Sequence, residues 1–526
     1  MPILTVGPTS TFPTIAVAMA SAGPGDTIQL EAGYSNETAT VTHNGITVFG
    51  TASSLGIQLQ LAPGIATFTL TGNAPINIRD AADGNGIVGN AGNNRITVTG
   101  GVDAVDGGLG IDRLIVDYRL ATGAVTGDST SNFTEAGGGG RSVTVTNGTI
   151  EHFTVLTGSG ADTITTGSGN DIIKTGHGAS TVSAGQGANT IIGGRNADTI
   201  TALDGGNFIN AGNGTNTITS GGGVDIIRSG NGADTIVSGG GNDRIALRGG
   251  ADTADAGAGN DRLIIDYSAM TTDVTGGITG GNLGTGYVGH IADLAGSSID
   301  FVGSENFRIT TGSGNDNIRT GGGADVLSGG VGNDLLKSGA GNDIVGGGAG
   351  NDKLFGGTGN DRVYGASGSD LLGGGDGHDR LFGGGWSDRV YGGDGNDTLH
   401  GDGGNDRLVG GIGADVLWGG AGADSFIFRN VSESPSGPAK DRARDFSSAQ
   451  GDQIALNQID ADTTLDGNQA FTFVGSAGFT GAAGELRFVS RAGNGFLAGD
   501  VDGDGNADIT IFLSGVTSLD AGDLIV

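Results

Sequence analysis

The chain contains no cysteine, so it has neither disulfides nor thiol chemistry. Basic side chains are scarce: 25 Lys and Arg stand against 57 Asp and Glu, giving a net charge of −32 and a pI near 4.2. That balance argues against nucleic acid and anionic membrane surfaces as partners. Long apolar runs are also missing, and no stretch is long enough to span a bilayer. The first basic residue is Arg79, so the small-residue segment Thr14–Ala22 lacks the positive flank of a conventional signal peptide. None of His43, His152, His177, His290, His378 and His400 is paired as H-E-x-x-H, and there is no G-x-S-x-G elbow or phosphate-binding loop. Hydrolase and nucleotide chemistry of the familiar kinds therefore has no foothold in the motifs.

What the chain does have is glycine, 112 of its 526 residues, without the three-residue period of collagen. From Gly314 to Phe428 that glycine is organised around aspartate. Asp316, Asp325, Asp334, Asp343, Asp352, Asp361, Asp370, Asp379, Asp388, Asp397, Asp406, Asp415 and Asp424 fall at every ninth place. Two positions after each stands an apolar residue, from Ile318 and Leu327 through to Leu417 and Phe426. A flexible Gly/Asp linker would have no reason to keep that apolar place, so the pattern is read as a repeat architecture.

A nonad with one inward side chain suits half a turn of a parallel β-coil, a tight turn followed by a very short strand. Two units close one turn, so each aspartate is expected to stack on the next but one in the series, Asp316 on Asp334 and Asp325 on Asp343. Adjacent strands lie roughly 4.8 Å apart, and two carboxylates at that separation repel by about 3 kcal/mol at an effective dielectric near 20. Eleven such pairs would outweigh the roughly 5–15 kcal/mol that holds a typical domain together. A hard cation between turns removes the conflict, because calcium–oxygen bonds of about 2.3–2.6 Å reach carboxylates and carbonyls from both. An all-oxygen donor set disfavours zinc.

Units such as Gly347-Gly-Ala-Gly-Asn-Asp-Lys-Leu-Phe355 resemble the GGxGxDxUx nonapeptide of RTX (repeats-in-toxin, hemolysin-type) proteins. The resemblance implies a calcium-loaded parallel β-roll, exported by a type I system and folded outside the cell. It leaves the role open, since that family joins the same module to toxins, proteases, lipases, epimerases, adhesins and surface-layer proteins.

The rest of the chain is read around this block. Thr14–Ala22 reads as a short helix, followed by strands at Gly25–Leu30, Thr38–Thr42 and Gly45–Gly50. Their order, with Gly25–Ile28, Ala32–Tyr34 and Asn44–Gly50, resembles the capped opening of parallel β-helix proteins of the pectinesterase type. The nonad spacing begins at Asn85, Asn94, Asp103 and Asp112, where no two aspartates fall two nonads apart and few or weak calcium sites are expected. Gly110–Tyr118 and Gly259–Tyr267 close two blocks in nearly the same words, marking a duplicated module. The inserts after them, 119–155 and 268–310, are expected to form antiparallel strands beside the coil, with a binding loop as the alternative.

The middle block keeps register but changes alphabet: Asp162, Asp171, Ser180, Asn189, Asp198, Asn207, Asn216, Asp225, Asp234, Asp243, Asp252, Asp261. Metal-poor coil is expected across about 180–220, with amide side chains bonding up a ladder. Carboxylates pair again only at 225/243, 234/252 and 243/261.

Residues 429–526 carry Phe446, Phe471, Phe473, Phe479, Phe488, Phe496 and Phe512 as a core of their own. With Ala423–Phe428, Gly451–Leu456 and the ending Asp523–Val526, this segment resembles the C-terminal domain and uncleaved secretion signal of serralysin-type proteins. Asp500–Asp508 is similar to the first part of an EF-hand loop, but Ile511 replaces the closing glutamate, and a strained turn is an equal reading.

The fold is thus expected to be all-β: a parallel β-roll/β-helix solenoid with an N-terminal cap, two inserts and a C-terminal β domain. The segments are 1–80 (cap), 81–118 (first repeats), 119–155 (insert), 156–267 (second repeats), 268–310 (insert), 311–428 (calcium-binding roll) and 429–526 (C-terminal cap and signal). Metal ligands are expected at Asp225, Asp234, Asp243, Asp252, Asp261 and the thirteen aspartates from Asp316 to Asp424. The expected function is that of a secreted or cell-surface calcium-binding structural protein of the surface-layer, matrix or adhesion type. Its partners would be Ca2+, a second copy of itself, or cell-surface or matrix polysaccharide, with no nucleic acid and no membrane span. The alternative is a carbohydrate-active lyase, esterase or epimerase with its site on the N-terminal coil.

Overall fold

A computed structural model describes residues 1–80, 83–137 and 139–526; the boundary expected at residue 81 lies outside them. Among the described residues the chain is all-β apart from one short α-helix and two single turns of 3-10 helix, and no helix there is long and apolar enough to cross a membrane. It divides into two compact units, Met1–Asp261 and Arg262–Val526.

The first unit opens as the sequence pattern suggests. Helix Ile15–Ser21 is capped by Thr14, whose side chain accepts from the Val17 N–H, and it buries Ile15, Ala18 and Met19 against the start of the coil. Strands Thr27–Leu30, Ile46–Gly50 and Thr67–Gly72 then stack in parallel. Partners along this face are Ile28 and Val48, then Val48 and Leu70, then Phe68 and Ile87, then Ile87 and Val105. Turns in the cap therefore take more chain than those of the repeats, and the step settles to two nonads between Ile87 and Val105. From Ile164 onward that step is strict and puts Ile over Val over Ile, as in Ile164–Val182–Ile200–Ile218–Ile236. All five side chains are essentially inaccessible to solvent.

The inserts do form antiparallel strands, but within the sheet rather than beside it. Val125–Asp128 pairs antiparallel with Asn132–Glu135, which pairs antiparallel with Ser142–Val145. The outer two of these pair in parallel with repeat strands Thr163–Thr165 and Val102–Asp106. A meander with free edges would leave backbone N–H and C=O groups unpaired; splicing it into the ladder satisfies both edges. The second insert repeats the plan with Val274–Asn282, Gly286–Asp293 and Ser298–Ser304, the first of which lies parallel to Asn317–Arg319.

In the second unit the two faces run Leu336–Leu354–Leu372–Val390–Leu408–Phe426 and Leu327–Val345–Val363–Leu381–Leu399–Leu417. Each side chain is buried to within 1%. Glycine is obligatory in the turns at places such as Gly350, whose φ is +134° and where any Cβ would strike the Gly332 carbonyl one turn below. Outside the core, Tyr364, Phe382, His400 and Trp418 stack in a column with ring centroids 4.8 to 5.9 Å apart.

The coil does not stop where the nonads do. Phe426 pairs with Ile454 and Leu417 with Ala443, and these continue to Leu524 and Leu513. An antiparallel sheet, Glu485–Arg491, Asn494–Asp500 and Ile509–Leu513, joins that end. Of the seven phenylalanines, Phe446, Phe471 and Phe488 are buried and the other four half-buried, with Leu486, Leu497, Ile509, Ile511 and Leu513 supplying the remainder of the core.

Because each turn offers the core so few side chains, Leu372→Ala should cost about 2–5 kcal/mol in urea unfolding of the calcium-loaded protein. Ile412→Ala, at a position 54% exposed, should cost under about 0.5 kcal/mol by the same measurement.

Candidate metal centre

Each turn aims two aspartates, one on either edge, at the turn before it. The Asp316 N–H donates to Asp334 Oδ1 at 2.8 Å, Asp334 to Asp352, Asp352 to Asp370, Asp370 to Asp388, and Asp388 to Asp406, at 2.7–2.8 Å. Asp406 then donates to Asp424 at 2.9 Å. The opposite edge carries the matching series from Asp325 through Asp343, Asp361, Asp379 and Asp397 to Asp415. Asp225–Asp243, Asp234–Asp252 and Asp243–Asp261 bond identically in the first unit. The eighteen aspartates singled out in the sequence all stand in these ladders, each at most 2% exposed and in the two-nonad register.

The second carboxylate oxygen is the chemically telling one. At Asp334, Asp352, Asp361, Asp370, Asp379, Asp388, Asp397, Asp406, Asp415 and Asp424, Oδ2 is buried and finds no donor among the described residues. An unsatisfied buried anion is among the costliest features a fold can carry. Five places before each of these aspartates stands a glycine. A Cβ built on Gly383 would lie 2.5 Å from Asp388 Oδ2 and 2.9 Å from the Gly401 carbonyl oxygen, so two oxygens from successive turns converge beside it. The same convergence recurs at Gly365, Gly374, Gly392 and Gly401. Buried, converging and wholly oxygen, this donor set fits a hard divalent cation and calcium in particular.

Burial also raises the proton affinity of these groups. Desolvation pushes Asp334, Asp361, Asp388 and Asp415 up to about 7 and Asp397 up to about 8, with neighbouring carboxylates adding to the shift and a backbone N–H opposing it.

Several participants escaped the sequence reading. Asp441 and Asp452 extend both ladders, accepting from the Asp415 and Asp424 N–H at 2.8 and 3.0 Å. Burial and the adjacent Asp415 push Asp441 up to about 9. Their signal was the Asp-x-apolar triplet in Asp441–Ala443 and Asp452–Ile454, hidden because loops of irregular length separate them from Asp415 and Asp424. A second, exposed ladder uses the asparagine that precedes many of the aspartates. Asn333 N–H donates to Asn315 Oδ1 and Asn351 N–H to Asn333 Oδ1, both at 2.7 Å. His378 stands in that ladder: its N–H donates to Asn360 Oδ1 and its Nδ1 accepts from the Asn396 N–H. In the first unit, Asp171, Asp198 and Asp162 hold ladder places too. At Asp500–Asp508, carboxylate oxygens of Asp500, Asp502 and Asp504 lie within 4.8 Å of one another, while Asp500 also accepts from the Gly503 and Gly505 N–H groups. The loop is therefore both a turn and an acidic cluster.

Comparison with known proteins agrees with this geometry. The family model of the RTX calcium-binding nonapeptide repeat (4 copies) matches in windows that together run over 83–114, 156–263 and 310–428. The chain therefore carries calcium-binding repeats of the RTX type. No curated protein sequence matches the chain. Among solved structures, the AlgE6R3 subunit from the Azotobacter vinelandii mannuronan C5-epimerase matches at 34% identity, over 29% of this chain and 80% of that one, with a TM-score of 0.22.

Raised carboxylate affinities have a signed consequence. The folded chain holds protons that the unfolded chain releases from about pH 4 upward, so without calcium its stability falls as pH rises toward about 8. In chelator, the urea midpoint should therefore be higher at pH 5 than at pH 8. With calcium replacing the proton, the difference should vanish or reverse. Equal midpoints at both pH values in chelator would contradict the burial of these carboxylates.

Proposed function

We propose that these RTX repeats make the chain a secreted, non-catalytic calcium-binding protein of the surface-layer, matrix or adhesion type, whose folding is driven by Ca2+ between stacked turns. The observation that carries this reading is the pair of ladders whose buried Oδ2 atoms lack a donor. Such a line of anions is tolerable only when a cation, or a proton, sits within it. Charge accounting supports several sites: fourteen register pairs with one Ca2+ each would carry about +28 against the chain's −32.

The mechanism is an ion-gated fold. At cytosolic calcium levels the acidic turns repel and stay open, which suits export through a narrow channel. Outside, calcium closes them in sequence, each bound turn presenting the edge on which the next one forms. The periodic aspartates are accounted for by the ladders, which leaves no acid–base pair that needs catalysis to explain it. Self-association or polysaccharide binding would then be the outward role of the folded surface.

Far-UV circular dichroism during calcium titration of the full chain should show β-sheet signal rising steeply and cooperatively, and chelator should reverse it. A spectrum unchanged between chelator and millimolar calcium would remove the reading. Imaging of the calcium-loaded product should show ordered assemblies if the structural role holds, and dispersed monomers if it does not.

A further inference from the structure

The middle repeats answer the same electrostatic problem with different atoms. At Asn189, Asn207 and Asn216 the side-chain oxygen keeps the ladder, accepting an N–H from the turn before: Asp171 to Asn189 at 3.0 Å, Asn189 to Asn207 at 3.1 Å and Asp198 to Asn216 at 2.9 Å. The other terminal atom is now a nitrogen, and it turns to its own loop. Asn207 Nδ2 donates to the carbonyls of Leu203 and Gly205, both at 3.0 Å. Asn189 Nδ2 reaches Gly185 and Gly187 at 3.3 and 3.0 Å, and Asn216 Nδ2 reaches Gly212 and Gly214 at 3.3 and 3.1 Å.

Aspartate is isosteric with asparagine and holds the same ladder bond. Its Oδ2 has no proton to give those carbonyls, and from Asp370 to Asp406 it converges instead with a carbonyl of the next turn, as Asp388 Oδ2 does with the Gly401 carbonyl. What the amide supplies by hydrogen bonding at an asparagine turn, only a cation or a proton can supply at these aspartate turns.

Within 180–219 the one aspartate, Asp198, is also satisfied, its Oδ2 accepting from the Gly194 N–H at 3.0 Å. On either side the position that is glycine from 347 to 419 carries a hydroxyl. Thr157 Oγ1 donates directly to Asp162 Oδ2. Thr166 Oγ1, Ser220 Oγ and Ser238 Oγ donate instead to the carbonyls of Ala184, Ser238 and Ala256, at 3.0, 2.9 and 2.8 Å, and Oδ2 of Asp171, Asp225 and Asp243 finds no donor among the described residues. These bonds span the same gap between turns into which the glycine-flanked Oδ2 atoms point.

We propose that the block from Ser180 to Thr219 folds without calcium, its asparagine amides standing in for the ion, whereas 347–424 folds only with it. This deepens the calcium-driven reading, on which it rests, by dividing the chain into a pre-formed segment and an ion-gated one.

Hydrogen exchange on the full chain in chelator tests it. Amides in 181–219 should exchange at least about tenfold more slowly than those in 353–427, and millimolar calcium should protect both. The triple variant Asn189→Asp, Asn207→Asp, Asn216→Asp should lose the chelator-resistant protection of 181–219, regain it in calcium, and bind more calcium by equilibrium dialysis. Equal exposure of both blocks in chelator, in a protein that binds calcium, would overturn the proposal and leave the calcium-driven function standing. An unchanged triple variant, in protection and in calcium count, would overturn it as well. Absence of calcium binding, with both blocks protected in chelator, would instead overturn the functional reading itself.

Discussion

A backbone N–H of one aspartate donating to the carboxylate of another, two nonads further on, is the bond around which this protein is arranged. It fixes the register of successive turns, because a slip by one place would remove both the acceptor and the inward side chain together. It also fixes a liability. Using one carboxylate oxygen for the ladder leaves the other buried and pointing into a gap already lined by carbonyls. From that geometry follow the raised proton affinities and the demand for a cation or a proton.

Core and ligand are separable layers of the repeat. The inward Ile, Leu and Val positions are filled in both units and are interchangeable in volume. The ligand position varies from Asp to Asn to Ser, and the position five places earlier varies from Gly to Ser and Thr, without disturbing the stacking of strands. A fold that keeps its backbone constant while exchanging the atoms that neutralise its turns can set, block by block, how strongly each depends on calcium. The spliced meanders fit the same logic: Val125 and Val274, which open the first strand of each insert, donate to Asp162 and Asp316 at 2.7 Å, so each interruption hands the ladder on intact.

Most of the solenoid was legible in the linear pattern, because a period of nine with one apolar place leaves only one way to close a turn. The eighteen aspartates could be read for the same reason, as could the short N-terminal helix with its Thr14 cap. Less visible were Asp441 and Asp452, which occupy ladder places through loops of irregular length. Less visible too was His378, whose ring nitrogen accepts the backbone bond that asparagine accepts elsewhere. The inserts were legible as antiparallel strands, but their place inside the sheet follows from edge pairing, which is a property of neighbours and not of the segment.

The amino-acid order by itself determined the period, the all-β class, the positions of the stacked aspartates and the all-oxygen character of the gap between turns, since each depends on residue type and spacing alone. Only the tertiary structure decided which oxygen of each carboxylate is spoken for and which is left over, and which turns carry their own donors. Those outcomes depend on the direction in which a side chain points across a gap of a few ångströms. That direction is set by the turn stacked above it.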